Sequence, residues 1–250
     1  GLIGFIGSMV SLLVLNTKNS NDYGMLAILL ALVCGVAVGI ISGTIHVKCR
    51  LPSFMVTYAI SSVMAGFAVL SYKGEPASIR YPLFDRISQG RFLGIPYLTC
   101  IALIVFAISW FLQERTKFGS YVFAIGDNES VVKNTGINVN KIKIMVFAWS
   151  GFCMGIAGVM GAIRIGRGTV SIGTGTVFPG ITAVVVGGTS LTGGKGGVIN
   201  SLIGAMIVTV INNGLVLLGI SAYIQSAVQG IIIIIAVALS IARGRKEIVK

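Results

Sequence analysis

Eight stretches of the chain, roughly 1–16, 24–45, 53–72, 97–112, 142–163, 176–191, 198–218 and 224–242, are apolar and, Lys143 apart, carry no charged side chain. A helix needs about 20 apolar residues to cross the hydrocarbon of a bilayer, and a charge at its centre costs roughly 2.5 kcal/mol or more. Charged residues make up 10% of the chain, where a soluble domain carries about 25%. The pattern predicts an all-α, polytopic membrane protein, with residues 1–250 forming one transmembrane domain of about eight helices. Two of the spans are short, 97–112 and 176–191. The second contains Pro179 and Gly180, so it is either a full span or a broken, re-entrant one, which is tolerated only where protein surrounds it.

Basic side chains set the orientation. The loop 113–141 and its flank carry Arg115, Lys117, Lys133, Lys141 and Lys143, which places that side in the cytoplasm. Alternation then puts Lys48, Arg50, Lys195 and the C-terminal Arg243, Arg245, Lys246 and Lys250 there too. The net charge of +12 is accounted for by such loops. No dense basic run is interleaved with aromatics, which argues against nucleic acid. The cysteines Cys34, Cys49, Cys100 and Cys153 form no C-x-x-C pair, and His46 is the only histidine, so no metal site is expected. All seven acids, Asp22, Glu75, Asp85, Glu114, Asp127, Glu129 and Glu247, lie outside the spans. A proton-coupled carrier commonly keeps a carboxylate or histidine inside the membrane, and a pathway without fixed charge suits a neutral polar solute. Gly35, Gly39 and Gly43, and Gly151, Gly155, Gly158 and Gly161, form small-residue stripes suited to close helix crossings.

The stretch "GGTSLTGGKGG", residues 187–197, invites comparison with a phosphate-binding loop, G-x-x-x-x-G-K-[ST]. Position 189 is Thr where that pattern needs Gly, and Gly196 follows Lys195 where it needs Ser or Thr. The stretch also joins two apolar spans rather than a soluble strand and a helix. It reads as a tight turn, so no nucleotide is expected on this chain. The large cytoplasmic loop is different. Its "DNESVVKNTGI" has the grammar of a short helix: Asp127 or Asn128 as N-cap, Glu129 in the first turn where the dipole favours it, Val131 and Val132 as an apolar face, Gly136 at the left-handed C′ position and Ile137 folding beneath it. Two helical turns are not stable alone in water. The helix must dock on a partner, or else on its own loop or the lipid headgroups.

From here the residues resemble a known family. The run "YVFAIGDNESVVKNTGINVNKIK" is similar to the cytoplasmic loop of the membrane permeases of bacterial ribose-type ABC importers, where A-x-G-G-N-E is followed by two small residues and later by G-I-N-V. "GTGTVFPGITAVVVGGTSLTGGKGG" and "SLIGAMIVTVINNGLVLLGIS" resemble further hallmarks of the family. The resemblance covers essentially the whole chain. It implies a ten-helix permease whose third to tenth helices are these eight, the first two lying before Gly1. It implies a bacterial inner-membrane location with a cytoplasmic C-terminus, a second permease copy, a cytoplasmic ATPase subunit that holds the ATP and magnesium, and an extracytoplasmic sugar-binding protein. Asp127, Asn128, Glu129, Val131, Val132, Gly136 and Ile137 correspond to the coupling helix that docks on the ATPase. The chain departs from the pattern in reading G-D-N-E, and in carrying Ser130 and Val131 after Glu129.

Thr209, Asn212 and Asn213 are candidate groups of the solute pathway, with Ser61, Ser62, Asn200, Gln225 and Gln229 as further polar positions within or beside spans. Their amides and hydroxyls suit a sugar's hydrogen bonds; interhelical bonding would use the same groups. The expected function is ATP-driven import of a neutral pentose or hexose, the chain itself performing no bond chemistry. The alternatives are a permease for branched-chain amino acids or nucleosides and, in a different class, an ion-coupled carrier.

Overall fold

A computed structural model describes residues 2–14, 23, 25–72, 77–79, 81–92, 94–190, 193–221, and 224–238 apart from 226, 233, 236 and 237. Ten helices are defined among them: α1 (Leu2–Leu13), α2 (Met25–Cys49), α3 (Ser53–Tyr72), α4 (Pro82–Gln89), α5 (Tyr97–Arg115), α6 (Lys117–Asp127), α7 (Glu129–Asn134), α8 (Val139–Ile165), α9 (Val177–Val186) and α10 (Val198–Leu217). Strand is confined to two-residue antiparallel pairs, Ala77–Ser78 with Arg167–Gly168 and Arg91–Phe92 with Ile95–Pro96. The chain is an all-α, multi-pass membrane protein.

Five helices, α2, α3, α5, α8 and α10, are long and apolar enough to cross a bilayer. Helix α9 has ten residues, about 15 Å of rise against a hydrocarbon thickness of about 30 Å, so the 176–191 stretch does not span as one helix. Pro179 does not break it. It stands third in α9, within the first turn, where its missing N–H has no intrahelical partner to lose. The eighth expected span is helical at the described residues from 224 to 238. Its remainder, and the basic tail with Arg243, Arg245, Lys246 and Lys250, lie outside the described residues, as do Asp22, Glu75 and Glu247.

The chain divides into two compact units, Gly1–Val105 with Asn140–Thr174, and Phe106–Val139 with Gly175–Lys250. The first is built around α1, whose Ile6 and Val10 are fully buried among Ala27 and Ala31 of α2 and Val159 and Ala162 of α8. The glycine stripes lie at these crossings. A Cβ on Gly35 would sit 2.6 Å from the Gly151 carbonyl oxygen, and one on Gly39 would strike the Phe147 carbonyl. One on Gly158 would sit 2.9 Å from Ile6 Cβ. Backbones that approach this closely gain dispersion contacts, which is what holds helices together where lipid is as apolar as the partner.

The second unit holds the α9–α10 hairpin and the long loop that follows α5. Here the structure adds an element that periodicity did not suggest: α6 occupies Lys117–Asp127, 11 residues within 113–141. Its N-cap is Thr116, whose hydroxyl accepts from Gly119 N at 3.5 Å and donates to the Leu112 carbonyl at 2.5 Å. The chain reverses so tightly at this corner that a side chain on Gly119 would collide with the Gln113 carbonyl.

Candidate functional site: the elbow at Asn128

Helices α6 and α7 meet at Asn128, which is C-cap of one and N-cap of the other. Its backbone is extended, φ −152° and ψ 98°, and this single residue breaks the run into two helices. Its N–H donates to the Ala124 carbonyl at 3.0 Å and so closes α6. Its side-chain oxygen accepts from Val131 N at 3.3 Å and from the Ser130 hydroxyl at 2.6 Å, and so opens α7. The cap is therefore Asn128, not Asp127. Asp127 is the last helical residue of α6 and is exposed. Ser130, where the family pattern has a small apolar residue, is absorbed into the cap.

Helix α7 has six residues, Glu129–Asn134, shorter than the Asp127–Ile137 segment the sequence suggests. Its end is closed by Thr135, whose hydroxyl donates to the Val132 carbonyl at 2.7 Å, and by Gly136 N, which donates to the Lys133 carbonyl at 3.2 Å. Gly136 takes φ +81°, the left-handed geometry expected of a C′ residue. Ile137 beyond it is half-buried. The two valines do not share a face. Val132 is buried at 6% exposure, and α7 packs on α6, whereas Val131 is 57% exposed. Consecutive residues on a helix point about 100° apart, so one can face the support and the other point outward. The outward surface of the elbow consists of Asp127, Glu129, Ser130, Val131, Lys133 and Asn134.

The pathway candidates separate as well. Asn212 accepts a hydrogen bond from Gln229 Nε2 at 2.9 Å, joining α10 to the helical segment that follows it. Thr209 donates back to the Ala205 carbonyl at 2.7 Å within its own helix. Thr209 and Asn213, four residues apart, are both exposed, while Asn212 is half-buried. The structure thus pairs Asn212 with Gln229 and does not bring Thr209 and Asn213 into that contact. Among the described residues no three His, Cys, Asp or Glu side chains gather as metal ligands.

An extended capping residue followed by one largely exposed helical turn thus stands in the chain between the apolar helices α5 and α8. Residues 2–237 match the family model described as the permease component of the branched-chain amino acid transport system. The ribose import permease of Escherichia coli K12 is 38% identical over 217 residues, which cover 85% of this chain and 68% of that protein. This chain belongs to the ribose-type ABC import permeases. The ribose import permease of Haemophilus influenzae is 39% identical over 227 residues, 89% of this chain and 70% of the relative. The galactose/methyl galactoside import permease of Escherichia coli K12 is 37% identical over 232 residues, 89% and 69% respectively. No solved structure matches the chain significantly.

Proposed function

We propose that the chain is the membrane-spanning subunit of an importer that carries a neutral pentose or hexose inward by alternating access, driven by ATP hydrolysis on a separate cytoplasmic subunit. The carrying observation is the elbow: a six-residue helix capped at both ends, with Val132 inward and Val131 outward. A rigid, supported helix transmits a push, whereas a mobile loop would absorb it. Asp127, Asn128, Glu129, Val131, Val132, Gly136 and Ile137 form or support the surface that meets the ATPase. Two copies of the chain form the pathway in the bacterial inner membrane, with the C-terminus in the cytoplasm, and an extracytoplasmic binding protein delivers the sugar. ATP and magnesium reside on the partner.

Support for a sugar comes from relatives named for ribose and galactose, and from described spans that hold amides and hydroxyls but only one charged side chain away from the helix ends, Lys143 near the start of α8. The family description names branched-chain amino acids instead, which keeps a second reading in play. One uptake panel in reconstituted vesicles separates them: ribose, galactose and arabinose against leucine and a nucleoside. Saturable, ATP-dependent uptake of a sugar alone is the expected result. Uptake of leucine alone would overturn the sugar assignment and leave the ATPase-driven mechanism standing.

A further inference from the structure

Gly193 and Gly194, within the 187–197 stretch rejected above as a nucleotide loop, lie against the elbow. A Cβ on Gly126, next to last in α6, would sit 2.5 Å from Gly194 N, and one on Gly194 would sit 3.1 Å from Asp127 Cα. A Cβ on Gly193 would sit 2.9 Å from the Gly126 carbonyl oxygen. At Gly126 and Gly193 the contact is backbone on backbone; at Gly194 the Asp127 Cβ joins the Asp127 backbone. The turn is held in shape by Ser190 N donating to the Lys195 carbonyl at 2.9 Å and Gly193 N donating to the Ser190 carbonyl at 3.2 Å. At its far end, Val198 opens α10 after Gly197, which has no side chain to cap it. The first N–H groups of a helix need an outside acceptor, and Gln113 of α5 supplies one: its Oε1 accepts from Val198 N at 2.7 Å. The elements close a ring, from α5 through α6 to the turn, on to the start of α10 and back to α5 through Gln113.

We infer that the glycine-rich turn is the positioning element through which displacement of α7 reaches α9 and α10, with Gly126, Gly193 and Gly194 forming the seat and Gln113 the closing strut. Two side chains in contact can change rotamer and absorb a shift of a few tenths of an ångström. Two backbones in contact cannot, so a push on the elbow moves the turn. Beyond the turn the motion is passed on without slack, because α9 and α10 are themselves in backbone contact: a Cβ on Gly204 would strike the Ala183 carbonyl, and one on Gly187 the Asn200 carbonyl. This inference rests on the coupling role proposed for α7 and adds the route by which that role reaches the membrane helices.

The test uses the permease reconstituted with its copurifying ATPase and radiolabelled ribose, comparing wild type with Gly126→Ala, Gln113→Leu and Gln113→Glu. The readouts are ATPase retained on the permease, ATP turnover, ribose moved per ATP, and hydrogen exchange at the Val198 amide. The expected result is that Gly126→Ala and Gln113→Leu keep the ATPase and its turnover but lower ribose per ATP by about two- to thirtyfold, the span of measured coupling changes. Gln113→Leu also speeds exchange at Val198, whereas Gln113→Glu, which loses the Nε2 donation to Glu114 Oε1 but retains the acceptor oxygen for Val198 N, keeps that exchange slow. An unchanged ratio in the two variants overturns the inference, as does a proportional loss of turnover and uptake, or an unchanged exchange rate at Val198 in Gln113→Leu. Failure of the wild-type permease to hold an ATPase through α7 is a different observation, and it refutes the coupling reading itself.

Discussion

Gly136 offers a substitution series whose cost can be worked out in advance. A Cβ at this position meets nothing within 4 Å, so a side chain brings no clash. The whole penalty is conformational, from holding φ at +81°. For an L-residue that region costs about 1–2 kcal/mol, most for β-branched residues and least for Asn. Since each ~1.4 kcal/mol is a factor of ten, Gly136→Ala and Gly136→Val reduce the equilibrium constant for closing the α7 terminus by about five- to thirtyfold, Val more than Ala. Gly136→Asn stays close to wild type. The assay is ATP-driven uptake in vesicles at matched expression, alongside retention of the ATPase on the permease. Uptake is expected to fall in the order Gly, Asn, Ala, Val while membrane insertion is unchanged. Wild-type uptake by Gly136→Val, or a loss as large in Asn as in Val, would refute the claim that the left-handed stop of α7 matters for coupling.

Further outcomes follow from the same geometry. Asn128→Ala removes the α7 cap, a loss of about 1 kcal/mol, and is expected to weaken ATPase copurification while leaving the thermal unfolding of the detergent-solubilised permease near wild type. Gly204→Ala places a methyl against the Ala183 carbonyl and is expected to lower the unfolding temperature. Gly214→Ala, with open space around it, is expected to leave that temperature unchanged or raise it, because Ala is the better helix former by up to about 1 kcal/mol. A double-mutant cycle on Asn212→Leu and Gln229→Leu is expected to return a coupling of about 0.6 kcal/mol, the average for hydrogen bonds between helices in a membrane. A value near zero would mean that the two amides do not bond.

The membrane-crossing architecture was legible because it depends on composition alone: the stretches 24–45 and 198–218, which fall in α2 and α10, are apolar over their full length and carry no charge. The α7 stop was legible for a local reason, since Asn128 and Gly136 each act on a backbone within three residues of themselves. Helix α6 was not. Its sequence KFGSYVFAIGD holds two glycines, which lower helix propensity, and both are there for contacts made elsewhere: Gly119 against the Gln113 carbonyl, Gly126 against Gly194. The sequence could not place a partner 68 residues away along the chain. For the same reason "GGTSLTGGKGG" read as a turn but not as a seat, since its Gly193 and Gly194 answer to Gly126 and Asp127. The opposed facing of Val131 and Val132 also lay beyond the sequence, because six residues are too few for a period to show.

The most direct measurement of the central claim is ribose uptake by vesicles containing the purified permease, with and without its ATPase subunit, under ATP and under imposed proton or sodium gradients. The account predicts accumulation only with the ATPase and ATP present together, and lowered when α7 is disrupted by Gly136→Val. Uphill accumulation driven by an ion gradient with no ATPase in the membrane would contradict it.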